Sequence, residues 1–384
     1  MNSKVCIITS VHPPFDGRIF HKEAKSLLNA GYDVVLIGRH TGEEIIDGIR
    51  IVPLPHPRNR FQRMTKILWL VLKSALKEKA HIYHLHDPEL IPVGIILKLF
   101  RKKIIYDVHE LVFPSIEDKK WLKFKLTRKL FQLSYLFLEK LAVTIFEQLI
   151  LAEDNYEEYF LSKYKNFKKY VVVRNFPILS MIDGVCSGSR PDNRKQVIIY
   201  AGGLSKIRGT EEMVQAMEHI GAKAELWLLG EWENEDIIRR CESSPGWKHT
   251  KYLGLLPLIK VYAHMKKADI GASLLYPLEN YLASLPTKAF EYMACSMPMV
   301  MSNFSYWEST FRECALFSDP YNPRDIADKF SYLLANPEKA AELGKKGRKL
   351  VEEEYSWEAE HHRLLDIYEH LHEENVIKGL GRGS

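Results

Sequence analysis

Pro177-Ile-Leu-Ser-Met-Ile-Asp-Gly-Val-Cys-Ser-Gly-Ser-Arg-Pro-Asp-Asn193 is the stretch on which the fold turns. Its Gly, Ser, Pro and Asp content is that of a linker, and the same alternation of elements runs on either side of it. Before it, apolar β-rich runs (Val5–Thr9, Val34–Ile37, Ile49–Leu54, Ile82–His86, Ile104–Val108, Gln148–Ala152, Tyr170–Val173) are separated by helical stretches at Phe20–Ala30, Lys66–Lys79, Pro92–Leu99, Trp121–Phe146 and Asn155–Lys163. After it come strands Val197–Ala201, Ala224–Leu229, Asp269–Leu275 and Met299–Ser302, with helices Thr210–His219, Pro257–Lys267 and Thr287–Ala294 between them. Continuous apolar strands spaced by helices imply a parallel sheet covered on both faces. The sequence therefore predicts an α/β protein of two doubly wound, Rossmann-like domains over 1–177 and 195–355, joined by a linker at 178–194. A helix over 356–384 follows, with Ser356 as its N-cap. Ligands of such sheets lie at the carboxyl ends of strands, so the site is expected in a cleft between the domains.

The 384 residues, 46% hydrophobic and 27% charged, are enough for two cores and exclude fibrous or disordered classes. The longest apolar stretches, Ile67–Leu72 and Leu90–Leu97, are too short to cross a bilayer, and Phe131–Ala152 is interrupted by Glu139, Lys140 and Glu147. Met1-Asn2-Ser3-Lys4 runs into only a short apolar run, so no secretion signal is read and the expected location is the cytoplasm. The five cysteines are scattered without a C-x-x-C pair, which argues against disulfides and zinc. Charge is uneven: the first 177 residues carry 29 Lys+Arg against 19 Asp+Glu, and the remainder is acidic overall. Arg58, Arg60, Arg63 and Lys66 interleave with Phe61 and Trp69; Lys119, Lys120, Lys123, Lys125, Arg128 and Lys129 interleave with Trp121 and Phe124. That pattern suits peripheral contact with an anionic membrane, at the inner face of the cell membrane. A solvated helical face is the alternative, and no nucleic-acid module accompanies the charge.

Neither the dinucleotide fingerprint nor the P-loop is present. The turn Ala201-Gly202-Gly203-Leu204-Ser205-Lys206-Ile207-Arg208-Gly209-Thr210 follows a strand and opens a helix, so its amides, Lys206 and Arg208 are candidates to bind phosphate. A plain tight turn with solvated charges is the alternative. The turn Ser10–Arg18 either holds an acceptor, with His12, Asp16 and Arg18, or closes over a donor at Gly17. His84-Leu85-His86-Asp87 and Asp107-Val108-His109-Glu110 close two strands. Metal binding there is disfavoured, because two adjacent strands rarely supply three convergent ligands. Acid–base or hydrogen-bonding work by His109 is expected instead, with a structural histidine as the alternative. In Glu279–Pro298, Pro286 is placed at a helix first turn, so the amides of Ser284 and Leu285 and the helix dipole point to the ligand. Glu291, further along that helix, is placed to accept two ribose hydroxyls, or is a solvated carboxylate.

Five motifs together resemble retaining glycosyltransferase family 4, of GT-B fold. They are His12-Pro13-Pro14-Phe15-Asp16-Gly17-Arg18, Tyr106-Asp107-Val108-His109-Glu110, Gly202-Gly203-Leu204-Ser205-x-x-Arg208-Gly209, Leu285-Pro286-Thr287-Lys288-Ala289-Phe290-Glu291-Tyr292-Met293-Ala294 and Tyr355-Ser356-Trp357-Glu358. The resemblance implies transfer of a hexose from a UDP- or GDP-sugar to a glycan or lipid-linked acceptor in surface polysaccharide or glycolipid synthesis. The C-terminal domain would hold the nucleotide, the N-terminal domain the acceptor, and the last helix would cross back onto the first domain. It further implies that Arg208 and Lys206 neutralise the diphosphate and that Glu291 binds the ribose. Gly17, Gly202, Gly203, Ser284, Leu285, Pro286 and Lys288 would line the nucleotide-sugar. His109 would touch the transferred sugar, and His12, Asp16, Arg18 and His86 would face the acceptor. No cofactor and no metal are implied; front-face attack with the leaving phosphate taking the acceptor proton is the expected mechanism. The chain departs from the family pattern at Ala283, where a first glutamate stands, at Ser284 for a glycine and at Gly203 for a second basic residue; Glu279 is a candidate substitute. A nucleotide-sugar epimerase or hydrolase, and a non-catalytic nucleotide-sugar-binding subunit, are the competing classes.

Overall fold

The computed structural model describes residues 3–115, 125–165, 167–186 and 194–380, except for the side chains of 114–115 and 374–380. Lys119, Lys120, Trp121, Lys123 and Phe124 of the basic-aromatic run, and 187–193 of the expected linker, lie outside the described residues. The chain forms two compact units, Met1–Asn175 with Glu360–Ser384, and Phe176–Ala359.

The first unit is built on eight strands: β1 (Lys4–Ile8), β2 (Asp33–Arg39), β3 (Glu44–Ile46), β4 (Ile49–Leu54), β5 (Ile82–Leu85), β6 (Lys103–Val108), β7 (Gln148–Leu151) and β8 (Tyr170–Val172). Their order is β3-β4-β2-β1-β5-β6-β7-β8, parallel throughout except that β3 runs antiparallel to β4. The direction of winding reverses between β1 and β5, which is where such a sheet leaves room for a ligand at its carboxyl edge. Cys6 and Ile8 face a core shared with the helices Leu68–Glu78, Ile91–Leu99 and Lys125–Ile145. Val5 and Ile7, on the other face, are equally buried, so β1 has to be apolar from Val5 to Ile8.

After β1 the chain turns through Asp16 into a π-helix at Gly17–Ala24 that continues as an α-helix over Lys25–Asn29. The terminal helix, Trp357–Leu380, is capped by Ser356, whose Oγ accepts from the Ala359 amide at 3.2 Å, and from Glu360 onward it belongs to the first unit. There Tyr368 hydroxyl meets His84 Nδ1 at 2.7 Å, Lys103 Nζ donates to the Leu371 carbonyl at 2.5 Å, and Glu360 accepts from the Arg174 amide at 2.9 Å.

The second unit has six parallel strands in the order β11-β10-β9-β12-β13-β14: β9 (Gln196–Ala201), β10 (Ala224–Leu229), β11 (Thr250–Gly254), β12 (Ile270–Ser273), β13 (Met299–Ser302) and β14 (Ala315–Ser318). Along β9, Val197, Ile199 and Ala201 enter one core while Ile198 and Tyr200 enter the other. Winding reverses between β9 and β12. Three strands were not predicted: β3 and β11 are edge strands with mostly exposed or half-buried residues, and β14 is only four residues long. The helix Glu235–Ser243 buries only Ile237 and Cys241, too weak a stripe to read. The stretch read as a linker contains a helix at Leu179–Asp183, and Phe176, Ile182 and Val185 join the second unit's core.

Where β10 ends, Gly230 (φ +142°) passes so close to Gly202 that a Cβ would lie 1.9 Å from the Gly202 carbonyl oxygen. Any side chain must push the two turns apart. Gly230→Ala is expected to destabilise the second unit by more than about 1 kcal/mol, read as a lower urea midpoint at unchanged slope.

Candidate functional site

In the first unit the carboxyl ends of β1, β5 and β6 converge. Asp87, following β5, draws the loop after β1 inward: its Oδ2 accepts from the Thr9 hydroxyl at 3.0 Å and from the Ser10 and Val11 amides at 2.5 and 3.1 Å. This seats His12 beside His109, ring centroids 5.2 Å apart, with His12 Nε2 3.5 Å from Asp87 Oδ1. Asp16 is a helix cap, its Oδ1 accepting from the Arg18 and Ile19 amides at 2.8 and 3.1 Å. Burial alone would raise its carboxyl; those amides and His12 outweigh burial and hold it below the usual aspartate value.

Arg18, expected to face an acceptor, is buried. Its Nε and Nη2 donate to Asp107 Oδ2 and Oδ1 at 2.8 and 3.1 Å, its Nη1 to the Val173 carbonyl at 2.8 Å, and its Nε lies 2.9 Å from Glu23 Oε1. His86, also expected at the acceptor, is buried behind His109, with Nδ1 3.0 Å from His109 Nε2. Asp107 Oδ2 is 3.3 Å from that same His109 nitrogen, so the exposed edge of His109 is oriented from behind by two buried groups. Burial works to raise Asp107, but Arg18, then His109, hold it well below the usual range. Glu23 moves the opposite way: burial and then Asp107 raise it well above. Sequence patterns gave no sign of Glu23, which enters from the helix and brings the strand-end histidines the convergence that the two strands alone lack. They also missed Glu153, after β7, whose carboxyl is pushed up to about 7 by burial and Asp154.

In the second unit the turn after β9 gathers Gly202, Gly203, Arg208 and Lys288. Lys288, buried in the first turn of the Thr287–Ala294 helix, donates to Tyr200 hydroxyl at 3.0 Å, and that hydroxyl donates to the Gly203 carbonyl at 3.0 Å. Arg208 lies by the Tyr200 hydroxyl, and although burial would lower it, Tyr200 and Tyr281 raise it above its ordinary value. Burial would raise the Tyr200 hydroxyl, but Lys288 and Arg208 overcome it and leave it below its ordinary value. A Cβ at Gly202 would sit 2.8 Å from Lys288 Nζ, so glycine leaves space for that ammonium group. Among the described residues neither Arg208 nor Lys288 has an acidic partner. Lys206 is exposed on the turn Lys206–Arg208 and its charge acts on Glu212, so the cation that joins Arg208 is Lys288.

The helix spans Thr287–Ala294 as expected, but Pro286 is its N-cap rather than a residue of its first turn, and no side chain caps that turn. Leu285 packs against the core, and the Ser284 carbonyl accepts from Trp307 Nε1 at 2.7 Å. Glu291 accepts from Tyr262 hydroxyl at 3.1 Å. Tyr262 is raised by burial and then by Glu291, so it stays a proton donor. Glu279 opens the short helix Glu279–Leu282, and Ala283 follows it, exposed. Gly17, expected at the nucleotide-sugar, belongs to the first unit as the opening residue of its π-helix, with nothing within 4 Å of where its Cβ would be.

The fold defined by these two sheets is GT-B. Sucrose-phosphate synthase from Thermosynechococcus elongatus superposes with a TM-score of 0.76 at 18% identity, over 97% of this chain and 100% of that one. Anabaena Alr3699/HepE in complex with UDP and glucose gives 0.70 at 13% identity, over 96% and 100%. An E. coli trehalose-6-phosphate structure bound with UDP-2-fluoro glucose gives 0.71 at 14%, over 95% and 99%. Residues 187–350, most of the second unit, match the family model described as Glycosyl transferases group 1. Spore coat protein SA of Bacillus subtilis (strain 168) is 24% identical over 192 residues, 46% of this chain and 49% of that protein; the chain thus spans about half the length of the curated relative it matches.

The Asp16 cap gives a pH signature. A carboxyl held below its ordinary value contributes stability above the unfolded pKa of about 3.9, and loses it as pH falls through the lower folded value. Asp16→Ala is expected to cost about 1 kcal/mol at pH 7, and the gap to the wild type to shrink below about pH 4 in a urea titration series.

Proposed function

We propose that this chain is a retaining, family 4 glycosyltransferase that moves a hexose from a UDP- or GDP-sugar to a glycan or lipid-linked acceptor. The observation that carries this reading is the Arg208–Lys288 pair: two cations share one buried phenol, no acid pairs with them, and a strand end and an uncapped helix start adjoin them. A diphosphate supplies the missing negative charge. As the anomeric C–O bond breaks, charge grows on the departing phosphate, and prepositioned cations stabilise that state more than the bound donor. The pair supplies the charge neutralisation that a divalent metal gives elsewhere, so transfer is proposed to be metal-independent. Glu291, aligned by Tyr262, takes the ribose hydroxyls. In front-face attack the acceptor hydroxyl forms the new C–O bond on the side the phosphate leaves, and a phosphate oxygen receives its proton. His109 binds the transferred sugar, with His12 and Asp16 on the acceptor loop. The UDP named for the Anabaena and E. coli structures supports a uridine donor as first choice.

A membrane-borne acceptor is supported by the surface of the first unit. Among the described residues no helix is long and apolar enough to cross a membrane. Yet Leu126, Leu130, Leu133 and Phe137 form one stripe of the Lys125–Ile145 helix, each between 56% and 77% exposed. Lys125 and Lys129 flank the stripe, and Phe61 and Trp69 are exposed among Arg60, Arg63 and Lys66. An apolar stripe flanked by basic side chains suits the headgroup region of an anionic bilayer, which supports a reaction at the inner face of the cell membrane.

The donor reading is tested by thermal shift with UDP- and GDP-sugars without added metal, where saturation at about 100 times Kd adds about 2.7 kcal/mol. One nucleotide series is expected to raise Tm, and Arg208→Ala to lower kcat/KM by about 100-fold. A loss of less than about threefold, under roughly 1 kcal/mol, would remove Arg208 from the phosphate site. The membrane reading is tested by flotation with phosphatidylglycerol-containing vesicles at low salt. The wild type is expected to float and Leu130→Asp/Phe137→Asp to stay at the bottom; wild type left at the bottom removes the membrane and leaves the transferase untouched.

A further inference from the structure

Beneath His109 the first unit encloses a set of metal-ligating groups that the proposed transfer does not use. Glu23 comes from the π-helix after β1, His84 and His86 from β5 and its carboxyl end, and Asp107 from β6; all four are buried, and one donor atom from each lies within 4.8 Å of the other three. Spaced two apart on one strand, His84 and His86 project from the same face, with ring centroids 4.3 Å apart.

Each imidazole has one nitrogen engaged and one without a hydrogen bond. His84 Nδ1 is 2.7 Å from Tyr368 hydroxyl and His86 Nδ1 is 3.0 Å from His109 Nε2, whereas Nε2 of both rings has no hydrogen-bond partner. Neither oxygen of Glu23 accepts a hydrogen bond: Oε1 lies 2.9 Å from Arg18 Nε as an ion pair, and Oε2 lies 3.4 Å from His86 Nε2 and 3.7 Å from His84 Nδ1. Buried polar atoms are ordinarily paired, and here the exceptions cluster. Burial keeps both imidazoles neutral, the form that ligates metal. Two carboxylates share one buried guanidinium, so with both ionised the cluster carries a surplus negative charge.

We propose that His84, His86 and Glu23 hold one divalent transition-metal ion, zinc by the donor set, with Asp107 and Arg18 bracing the ligands from outside. Two imidazoles and a carboxylate are a common zinc set. The 3.4 Å between His86 Nε2 and Glu23 Oε2 is near the edge of about 3.3 Å that a tetrahedron with zinc's bond lengths has. All four donor atoms lie within 4.8 Å of one another, so the widest separation must close by up to about 1.5 Å to reach that edge. Ligating histidines ordinarily give their second ring nitrogen to an outer hydrogen bond, as His86 does toward His109, whereas at His84 the nitrogen facing Glu23 is Nδ1, which the Tyr368 hydroxyl must release to the ion; Arg18 pairs with the far oxygen of Glu23. Ligation through His86 Nε2 puts that ring's proton on Nδ1, directed at His109 Nε2. His86 is then a positioning residue for His109.

The competing state is a proton on Glu23 shared with Asp107. To separate the two, the full chain is produced in zinc-supplemented medium, purified without immobilised metal or chelator, counted for metal by mass spectrometry, stripped with dipicolinate and reloaded with Co²⁺. Zinc near one equivalent per chain is expected, with a Tm that falls on stripping and returns with zinc, and a visible Co²⁺ d–d band. Glu23→Gln is expected to lose at least nine-tenths of the bound metal; should that variant fail to fold, the wild-type stripping and cobalt spectrum decide alone. Metal near zero with no cobalt band and no Tm response overturns the site in favour of the shared proton. Undiminished metal in folded Glu23→Gln and His86→Asn overturns it too, by placing the ion elsewhere.

Discussion

The bidentate contact between Arg18 and Asp107 is the one the first unit's strand ends depend on. One guanidinium ties together the helix after β1, the carboxyl end of β6 and, through the Val173 carbonyl, the segment after β8. These positions are 89 and 155 residues from Arg18 along the chain. A buried guanidinium is tolerated only when its charge and donors are met, and here all three segments must be in place to meet them. Once Asp107 is fixed, His86 and His109 have a fixed carboxylate to orient against.

The second unit handles charge in the opposite way. Arg208 and Lys288 meet at a phenol, a partner that positions both without neutralising either. Dipole and cation face the same place because the strand end, the glycine turn and the first turn of Thr287–Ala294 adjoin. One unit thus encloses a paired network that locks a histidine, and the other keeps positive charge in reserve.

Much of the fold was legible because parallel strands buried on both faces cannot hide: Val197–Ala201 is apolar or aromatic throughout, and Ile104–Val108 departs from that only at Asp107. Edge strands such as Thr250–Gly254 carry no such demand and left no pattern. Within the candidate site, the glycine turn and Arg208 were picked out from a strand and the turn after it, whereas Lys288 came only with the family resemblance. Residues whose roles rest on distant partners were not. Arg18 looks like an exposed charge beside a proline-rich turn until Asp107 is brought to it, and Glu23, among polar neighbours His21, Lys22 and Lys25, looks like a solvated helix carboxylate. Lys206, chosen by proximity to Arg208 in sequence, yields to Lys288 because the tight turn at Lys206–Arg208 leaves Lys206 in water.

The first unit is made of two separated pieces of chain, with Phe176–Ala359 between them. At synthesis rates of about 5–20 residues per second, the sheet waits roughly 10–40 s for the helix that completes it. Until then His84 lacks Tyr368, Lys103 lacks the Leu371 carbonyl, and the Arg174 amide lacks Glu360. The inserted unit, being continuous, is free to finish first. The nascent protein therefore passes through a stage in which the six-stranded sheet is whole and the eight-stranded one still lacks its last helix.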